Sequence, residues 1–254
     1  MEPSERRVAV VGDDRAAALR DALASLPYRS AERSAADAIV AVGDDALRDV
    51  FVDAPDAPVI PVGPQRLATD ADDAGRRVRT LLDAAFSDDE HHDSSADGLQ
   101  RTTHPVLTVD AGNGAPQRAA FDVALVTAQP ARISEFAIDF VGGSDATFRA
   151  DGVVVATPFG SDGYANAAGG PVVEPGGGLS VAPIAPFSTR TDAWVAADGL
   201  SLSVEREAES VTLVVDGRER EAVRPHRPIA IEATDSVTLV TRSGTRRARR
   251  SETL

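Results

Sequence analysis

Two stretches of the chain bring together residue types that can hold or transform a ligand. The first runs from Asp151 to Pro171 as DGVVVATPFGSDGYANAAGGP. Its apolar start, Val153–Val155, reads as a strand. Gly160, Gly163, Gly169 and Gly170 then let the backbone approach closely whatever lies above it. Tyr164 is one of only two tyrosines, and its ring, set among these glycines, suits stacking on a flat heterocycle. A tight turn with a buried tyrosine is the other use of the same residues. The second stretch is Gly43-Asp44-Asp45, directly after the apolar run Ala38–Val42. Carboxylates in such a place serve phosphate chemistry, or they simply favour the start of a helix through its dipole.

Other chemistries are excluded by composition. The chain has no cysteine, hence no disulfide and no thiolate metal site. It has no lysine either: all 26 basic residues are arginine, so a phosphate-binding P-loop with its lysine cannot form. His91, His92, His104 and His226 lie in polar or proline-flanked segments, and no G-x-S-x-G elbow is present. Adjacent histidines rarely converge on one ion. His91 and His92, among Asp88, Asp89, Glu90 and Asp93, therefore read as part of a solvated linker, Ser87–Gly98.

The elements that must position these residues follow from periodicity. Arg7–Val11 reads as a strand, Ala16–Leu26 as a helix, Ala38–Val42 as a buried strand, Ala46–Phe51 as a short helix and Pro58–Val62 as a third strand. A helix over about 72–85 precedes the linker. Strands alternating with helices imply a parallel sheet, whose ligands lie at the carboxyl ends of the strands, where Gly43-Asp44-Asp45 falls. From Thr102 onward short β-type runs are separated by Gly, Pro and Asp: Val106–Val109, Val123–Thr127, Ile133–Phe140, Val153–Thr157, Leu200–Val204, Val211–Val215, Ile229–Ala233 and Val237–Thr241. The expected fold class is an α/β N-terminal domain, a parallel sheet with flanking helices, joined to an all-β, sandwich-like C-terminal domain. The expected divisions are 1–97, 98–235 and a C-terminal segment 236–254.

With 254 residues and 43% hydrophobic content the chain can bury a sizeable core. Its 40 acidic residues against 26 basic ones give a net charge of −14. A lysine-free, Asp- and Ala-rich surface suits work in concentrated salt, where self-repulsion is screened, and argues against nucleic acid as a partner. Arg246, Arg247, Arg249 and Arg250 form the only basic cluster and read as a solvated tail. No apolar run approaches the ~20 residues of a membrane span, and the start shows no secretory signal pattern, so a cytoplasmic protein is expected.

The order of residues from Asp151 to Pro171 resembles the hallmark of the NAD kinase family, D-G, a hydrophobic run, T-P-T-G-S-T-A-Y and then G-G-P. Asp151, Gly152, Thr157, Pro158, Gly160, Ser161, Tyr164, Gly169, Gly170 and Pro171 match it in register, while Phe159, Asp162 and Gly163 depart from it. Val42-Gly43-Asp44-Asp45-Ala46 stands where the family has G-G-D-G-T, with its aspartate kept as Asp44. Ala119-Ala120-Phe121-Asp122 stands for A-L-N-[DE], with Phe121 in place of the amide. Pro183–Ser188 resembles P-I-C-P-H-S, with Phe187 in place of the histidine, and Val215-Asp216-Gly217 resembles the V-D-G-Q turn, a hairpin signal in its own right.

The resemblance implies phosphoryl transfer from ATP or polyphosphate to the 2'-hydroxyl of the adenosine ribose of NAD, with a divalent cation, Mg or Mn. It assigns Asp44 to catalysis. Gly43, Asp45, Phe121, Asp122, Asp151, Thr157, Gly160, Ser161, Asp162, Gly163 and Tyr164 are assigned to nucleotide binding, with no residue assigned to a resident metal. It also implies a homo-oligomer, a dimer or tetramer, whose neighbouring subunit contacts the ligand. The altered G-G-D-G-T and N-[DE] elements keep a second reading open, a regulatory dinucleotide-binding relative that retains the pocket without turnover. A lipid kinase sharing G-G-D-G is disfavoured by the T-P-x-G-S and G-G-P segments.

Overall fold

The computed structural model describes residues 6–87, 98–129, 133–188, 191–206 and 210–242. The acidic segment with His91 and His92 and the C-terminal arginine cluster lie outside them. The chain divides into two compact units. One comprises the chain up to Leu47, Asp56–Thr102 and the chain from Thr238. The other comprises Arg48–Pro55 and Thr103–Val237.

The first unit is the expected α/β layer. Its elements are β1 (Arg7–Gly12), α1 (Arg15–Ala24), β2 (Arg29–Ser30), β3 (Ala38–Val42), α2 (Asp44–Asp53, continuing into the second unit), β4 (Val59–Val62) and α3 (Ala71–Ala85). The strands pair in parallel in the order β2-β1-β3-β4. All five residues of β3 are buried, as an uninterrupted apolar run requires when both faces of a parallel strand are covered. Leu19 and Leu23 of α1 and Val78, Leu81 and Leu82 of α3 meet Val8, Val40 and Ile60 in one core. Helix α3 starts where Asp70 accepts the Asp72 N–H at 3.0 Å, and Asp72 and Asp73 follow in its first turn, where acidic residues oppose the helix dipole.

The second unit is antiparallel. It contains β5 (Leu99–Asp110, beginning in the first unit), β6 (Gln117–Ala119), β7 (Asp122–Thr127), β8 (Ser134–Phe140), β9 (Asp145–Ala150), β10 (Gly152–Ala156), the short helix α4 (Tyr164–Ala167), β11 (Leu179–Ile184), β12 (Trp194–Ala196), β13 (Gly199–Arg206), β14 (Val211–Val215), β15 (Arg218–Ala222) and the first part of β16 (Ile229–Arg242). One sheet has the order β12-β11-β10-β7-β14-β15. The other carries β16, β13, β8 and β9 side by side. Alternation decides the layers: Val123, Leu125, Val153 and Val155 enter a core with Phe136, Ile138, Leu202 and Leu213, while Ala124, Val154 and Ala156 face the other way and pack against Ala165 of α4.

The structure corrects two expectations, the division of residues 229–241 into two strands and the setting of His104. Ile229–Ala233 and Val237–Thr241 are a single strand, β16, because Ala233 N–H still bonds to Asp198 O at 2.8 Å and the intervening polar residues keep the extended path. The last residues of β16 belong to the first unit, where Leu239 pairs with Val59. His104, expected in a polar setting, is fully buried.

His104 Nε2 accepts the Phe159 N–H at 3.2 Å, and its ring lies 5.3 Å from Phe51 and 5.9 Å from Phe159. Phe159 in turn stacks on Phe121 at 5.5 Å. Below this cluster the backbone of Phe121 passes over Gly160: a Cβ on Gly160 would lie 2.3 Å from Phe121 O. Gly163 has no comparable obstruction, its nearest neighbour being Gly160 O at 3.3 Å.

Two outcomes are expected. Gly160→Ala must push two backbone segments apart and costs about 2–4 kcal/mol, whereas Gly163→Ala stays within about 1 kcal/mol; denaturant unfolding of the two variants measures the difference. Burial pushes the His104 imidazole down to about 3, so the folded state resists protonation that the unfolded chain accepts below about 6.5. Its contribution to stability is therefore present above that pH and is lost as pH falls. Relative to His104→Gln, which keeps an acceptor and cancels every other titrating group from the comparison, the wild type loses roughly 1 kcal/mol between pH 6.5 and 5.5.

Candidate functional site

In the first unit the carboxyl ends of β1, β3 and β4 converge. Gly43 leaves β3 with φ +86°, donates its N–H to Val62 O at 2.9 Å and accepts from Leu47 N–H at 3.0 Å, which starts α2. A Cβ there would meet only the movable ends of Asp13 and Arg15, at 2.9 and 3.0 Å; it is the positive φ that favours glycine at position 43. Asp44 and Asp45 occupy the first turn of α2 and are exposed. The Asp44 carboxylate accepts a hydrogen bond from Gln65 Nε2, and Asp13 and Arg15 form an ion pair of 2.6 Å beside them. The Arg15 guanidinium is held further toward its charged form by Asp13 and, more weakly, by Asp44. Asp13, Arg15 and Gln65 are site residues that motif reading missed. The available signal was their place, one to three residues after a parallel strand.

In the second unit a cavity of about 340 Å³ opens on the outer face of β7 and β14, with Asp122, Thr127, Tyr164, Val214 and Glu219 in its lining. Tyr164 stands at the start of α4 with 45% of its surface exposed. Asp122 is the first residue of β7. Burial pushes its carboxyl up to about 6, the Asp216 charge adds to the shift, and Arg48 opposes it. Near neutral pH this group therefore exchanges a proton readily and is able to donate as well as accept. Tyr164 is raised by burial and by Asp122.

The remaining expected residues divide by what their polar atoms do. Thr157 and Ser161 are fully buried. The Thr157 hydroxyl donates to Ala120 O at 3.0 Å or Phe121 O at 3.1 Å. Ser161 Oγ donates to Pro158 O at 2.9 Å and accepts the Val173 N–H at 3.0 Å. These two hydroxyls are engaged by backbone, and neither residue lines the cavity. Phe121 is half-buried, with Phe159 stacked against it and the Arg48 guanidinium 5.8 Å from its ring centre. Asp162 is half-buried and Gly163 exposed, at the entry to α4. Asp151 lies at the other end of the cavity: it precedes β10, its carbonyl accepts the N–H of the lining residue Thr127 at 2.9 Å, and it stands about 16 Å from Asp122 along the strand. Phe187 is 68% exposed, with the Arg149 guanidinium 5.3 Å over its ring.

Among the described residues no three His, Cys, Asp or Glu side chains converge as a metal cage. Asp44 and Asp45 instead offer two neighbouring carboxylates on one helical turn. That donor set fits a magnesium-type cation brought in on nucleotide phosphates, which uses one or two carboxylates and completes its shell with phosphate oxygen and water.

Comparisons with known proteins agree with this architecture. Residues 122–242 match the family model described as ATP-NAD kinase C-terminal domain. The chain is 33% identical to an NAD kinase of Methanoculleus marisnigri over 135 residues, 52% of this chain and 50% of that protein. It is 38% identical to an NAD kinase of Methanospirillum hungatei over 96 residues, 37% and 36% of the two chains. The matches thus span half or less of these relatives. The fold is shared with an NAD kinase from Archaeoglobus fulgidus in complex with ATP, at a TM-score of 0.65 and 24% identity over 92% of both chains. It is also shared with yeast NADH kinase complexed with NADH, at a TM-score of 0.68 and 16% identity over 93% of this chain and 83% of that one. Residues 122–242 are thus similar to the C-terminal domain of ATP-NAD kinases, and the chain shares its fold with the two solved kinases.

Proposed function

We propose that the protein is a phosphotransferase that converts NAD to NADP with ATP or polyphosphate as donor. The observation that carries this reading is Asp44, exposed in the first turn of α2 at the carboxyl edge of the parallel sheet, with Gln65 fixing its carboxylate. In the reaction the 2'-hydroxyl oxygen of the adenosine ribose forms a bond to the terminal phosphorus, the bond from that phosphorus to the bridging oxygen breaks, and the shortened phosphate chain leaves. Asp44 orients the hydroxyl and takes its proton. The divalent cation, Mg or Mn, neutralises phosphate charge when bound, and Asp44 and Asp45 are the residues to meet it.

The second-unit cavity takes the dinucleotide. Tyr164 offers a ring face to the adenine, and Asp122 meets a polar group of the ligand. Exposed Val172, Val195 and Phe187 on this unit support a homo-oligomer, dimer or tetramer. Among the described residues no helix is long and apolar enough to cross a membrane, which supports a cytoplasmic setting. A second reading, a dinucleotide-binding regulator without turnover, is favoured by one feature: Asp45 puts a carboxylate where the family pattern has glycine, against an incoming phosphate.

Purified protein in high-salt buffer with NAD, Mg or Mn, and ATP or polyphosphate is expected to form NADP. Asp44→Asn should lower turnover by roughly 100- to 10,000-fold while NAD affinity, read by calorimetry, changes less than about threefold. Binding without turnover in the wild type selects the regulator.

A further inference from the structure

The V-D-G turn does more than close a hairpin. Asp216 and Gly217 both have positive φ, 48° and 72°, as a tight primed turn between β14 and β15 demands. Asparagine meets that demand as well as aspartate does, so the turn alone does not explain a carboxylate that is 4% exposed. The side chain points instead at another segment. Its Oδ2 accepts the Ala120 N–H at 2.9 Å, and its Oδ1 accepts those of Phe121 at 2.7 Å and Asp122 at 3.1 Å. The Asp216 N–H returns to Asp122 O at 2.9 Å. Three consecutive backbone donors closing on one anion form a nest, and here the anion belongs to the protein.

From the other side Thr157 holds the carbonyls of Ala120 and Phe121. The segment that delivers Asp122 to the cavity is thus gripped through its N–H groups by Asp216 and through its C=O groups by Thr157. The charged and titratable groups facing Asp122 are Asp216 from the β14–β15 turn, Arg48 from α2 and Tyr164 from α4, with Glu219 of β15 lining the same cavity. Only Arg48 is cationic.

We propose that Asp216 is the positioning residue of the dinucleotide pocket: its buried carboxylate sets the path of Ala120–Asp122 and places a second negative charge beside that of Asp122 where the ligand binds. This rests on the reading of the cavity as the dinucleotide site. A neutral residue in the turn would preserve the hairpin, loosen the grip and leave burial alone to raise Asp122. Burial and the neighbouring Asp216 charge, which together raise Asp122, act in the same direction.

The test is a carboxyl-carbon NMR titration of the wild type and Asp216→Asn, with the Asp122 signal identified by its loss in Asp122→Asn, alongside calorimetric NAD titration at pH 5.5 and 7.5. In the wild type Asp122 is expected to titrate near 6 and NAD to bind several-fold more weakly at pH 7.5. In Asp216→Asn the midpoint falls by at least half a unit, NAD affinity drops about tenfold at pH 5.5, and the pH dependence shifts to lower pH. Asp122→Asn, which keeps the turn and carries a permanent donor, should bind NAD independently of pH, and it decides the matter should Asp216→Asn not fold. An Asp122 midpoint that is the same in wild type and Asp216→Asn overturns the proposal, as does Asp122→Asn with the wild-type pH dependence. Absence of NAD binding by the wild type at both pH values overturns the assignment of the cavity, while the NMR midpoints still decide what Asp216 does to Asp122.

Discussion

The second unit depends on one crossing, where the backbone of Phe121 passes over Gly160 with no room for a side chain between them. Residues that are distant in the chain close on it: the Thr157 hydroxyl from 37 residues away and the Asp216 carboxylate from 96 residues away. Closing loops of that length carries an entropic cost. A carboxylate bonded to three N–H groups is a strong offset because charge-assisted hydrogen bonds contribute roughly 1.5–3 kcal/mol each where neutral ones contribute about 1. A division of labour follows within the T-P-x-G-S stretch. Thr157, Gly160 and Ser161 turn inward to backbone partners, while Asp122 and Tyr164 line the cavity.

The two aromatic departures from the family pattern, Phe121 and Phe159, have one physical cause. Their rings stack on each other, and Phe159 packs edge-on against Phe51 and His104. An amide at position 121 would press its polar atoms against the face of Phe159, and a hydroxyl at 159 would leave a gap beside Phe121, so the pair is more stable changed together than singly. The consequence reaches the ligand. Asparagine pairs with a heterocycle edge through a donor and an acceptor; Phe121 offers only a half-buried ring backed by Phe159. If the cavity takes a dinucleotide, as proposed, selection among bases would rest more on Asp122 and less on the residue before it.

What was legible in the sequence was local. Uninterrupted apolar runs at Ala38–Val42 and Val59–Val62 with helical spacing between them specify a parallel layer, and alternation in Val123–Thr127 specifies a strand with one core face. Asp-Gly at 216–217 was readable as a hairpin because that signal lies within four residues. Its second task was not, since the Ala120–Asp122 donors reach Asp216 only once β7 and β14 have paired through Val123 and Val215. His104 looks solvated beside two threonines and a proline, yet β5 carries it into the aromatic cluster, and nothing in its neighbours along the chain encodes that. Gln65, in a loop after β4, meets Asp44 for the same topological reason.

The charge around Asp44 sets a condition on any phosphate chemistry there. Asp13, Asp44 and Asp45 face the loop, and Arg15, the nearby cation, is already engaged by Asp13 at 2.6 Å. No lysine exists anywhere in the chain to compensate. At low ionic strength, with a screening length near 30 Å at 0.01 M, both this cluster and the net charge of −14 repel an incoming polyanion. At 1 M the screening length falls to about 3 Å, and only contacts within the first shell still count. A divalent ion brought in on phosphates would make ligands of the adjacent carboxylates, which otherwise repel the anion. On the proposed phosphotransferase reading, the aspartate at position 45, unfavourable beside bare phosphate, would be accommodated by concentrated salt and by a cation carried on the phosphates.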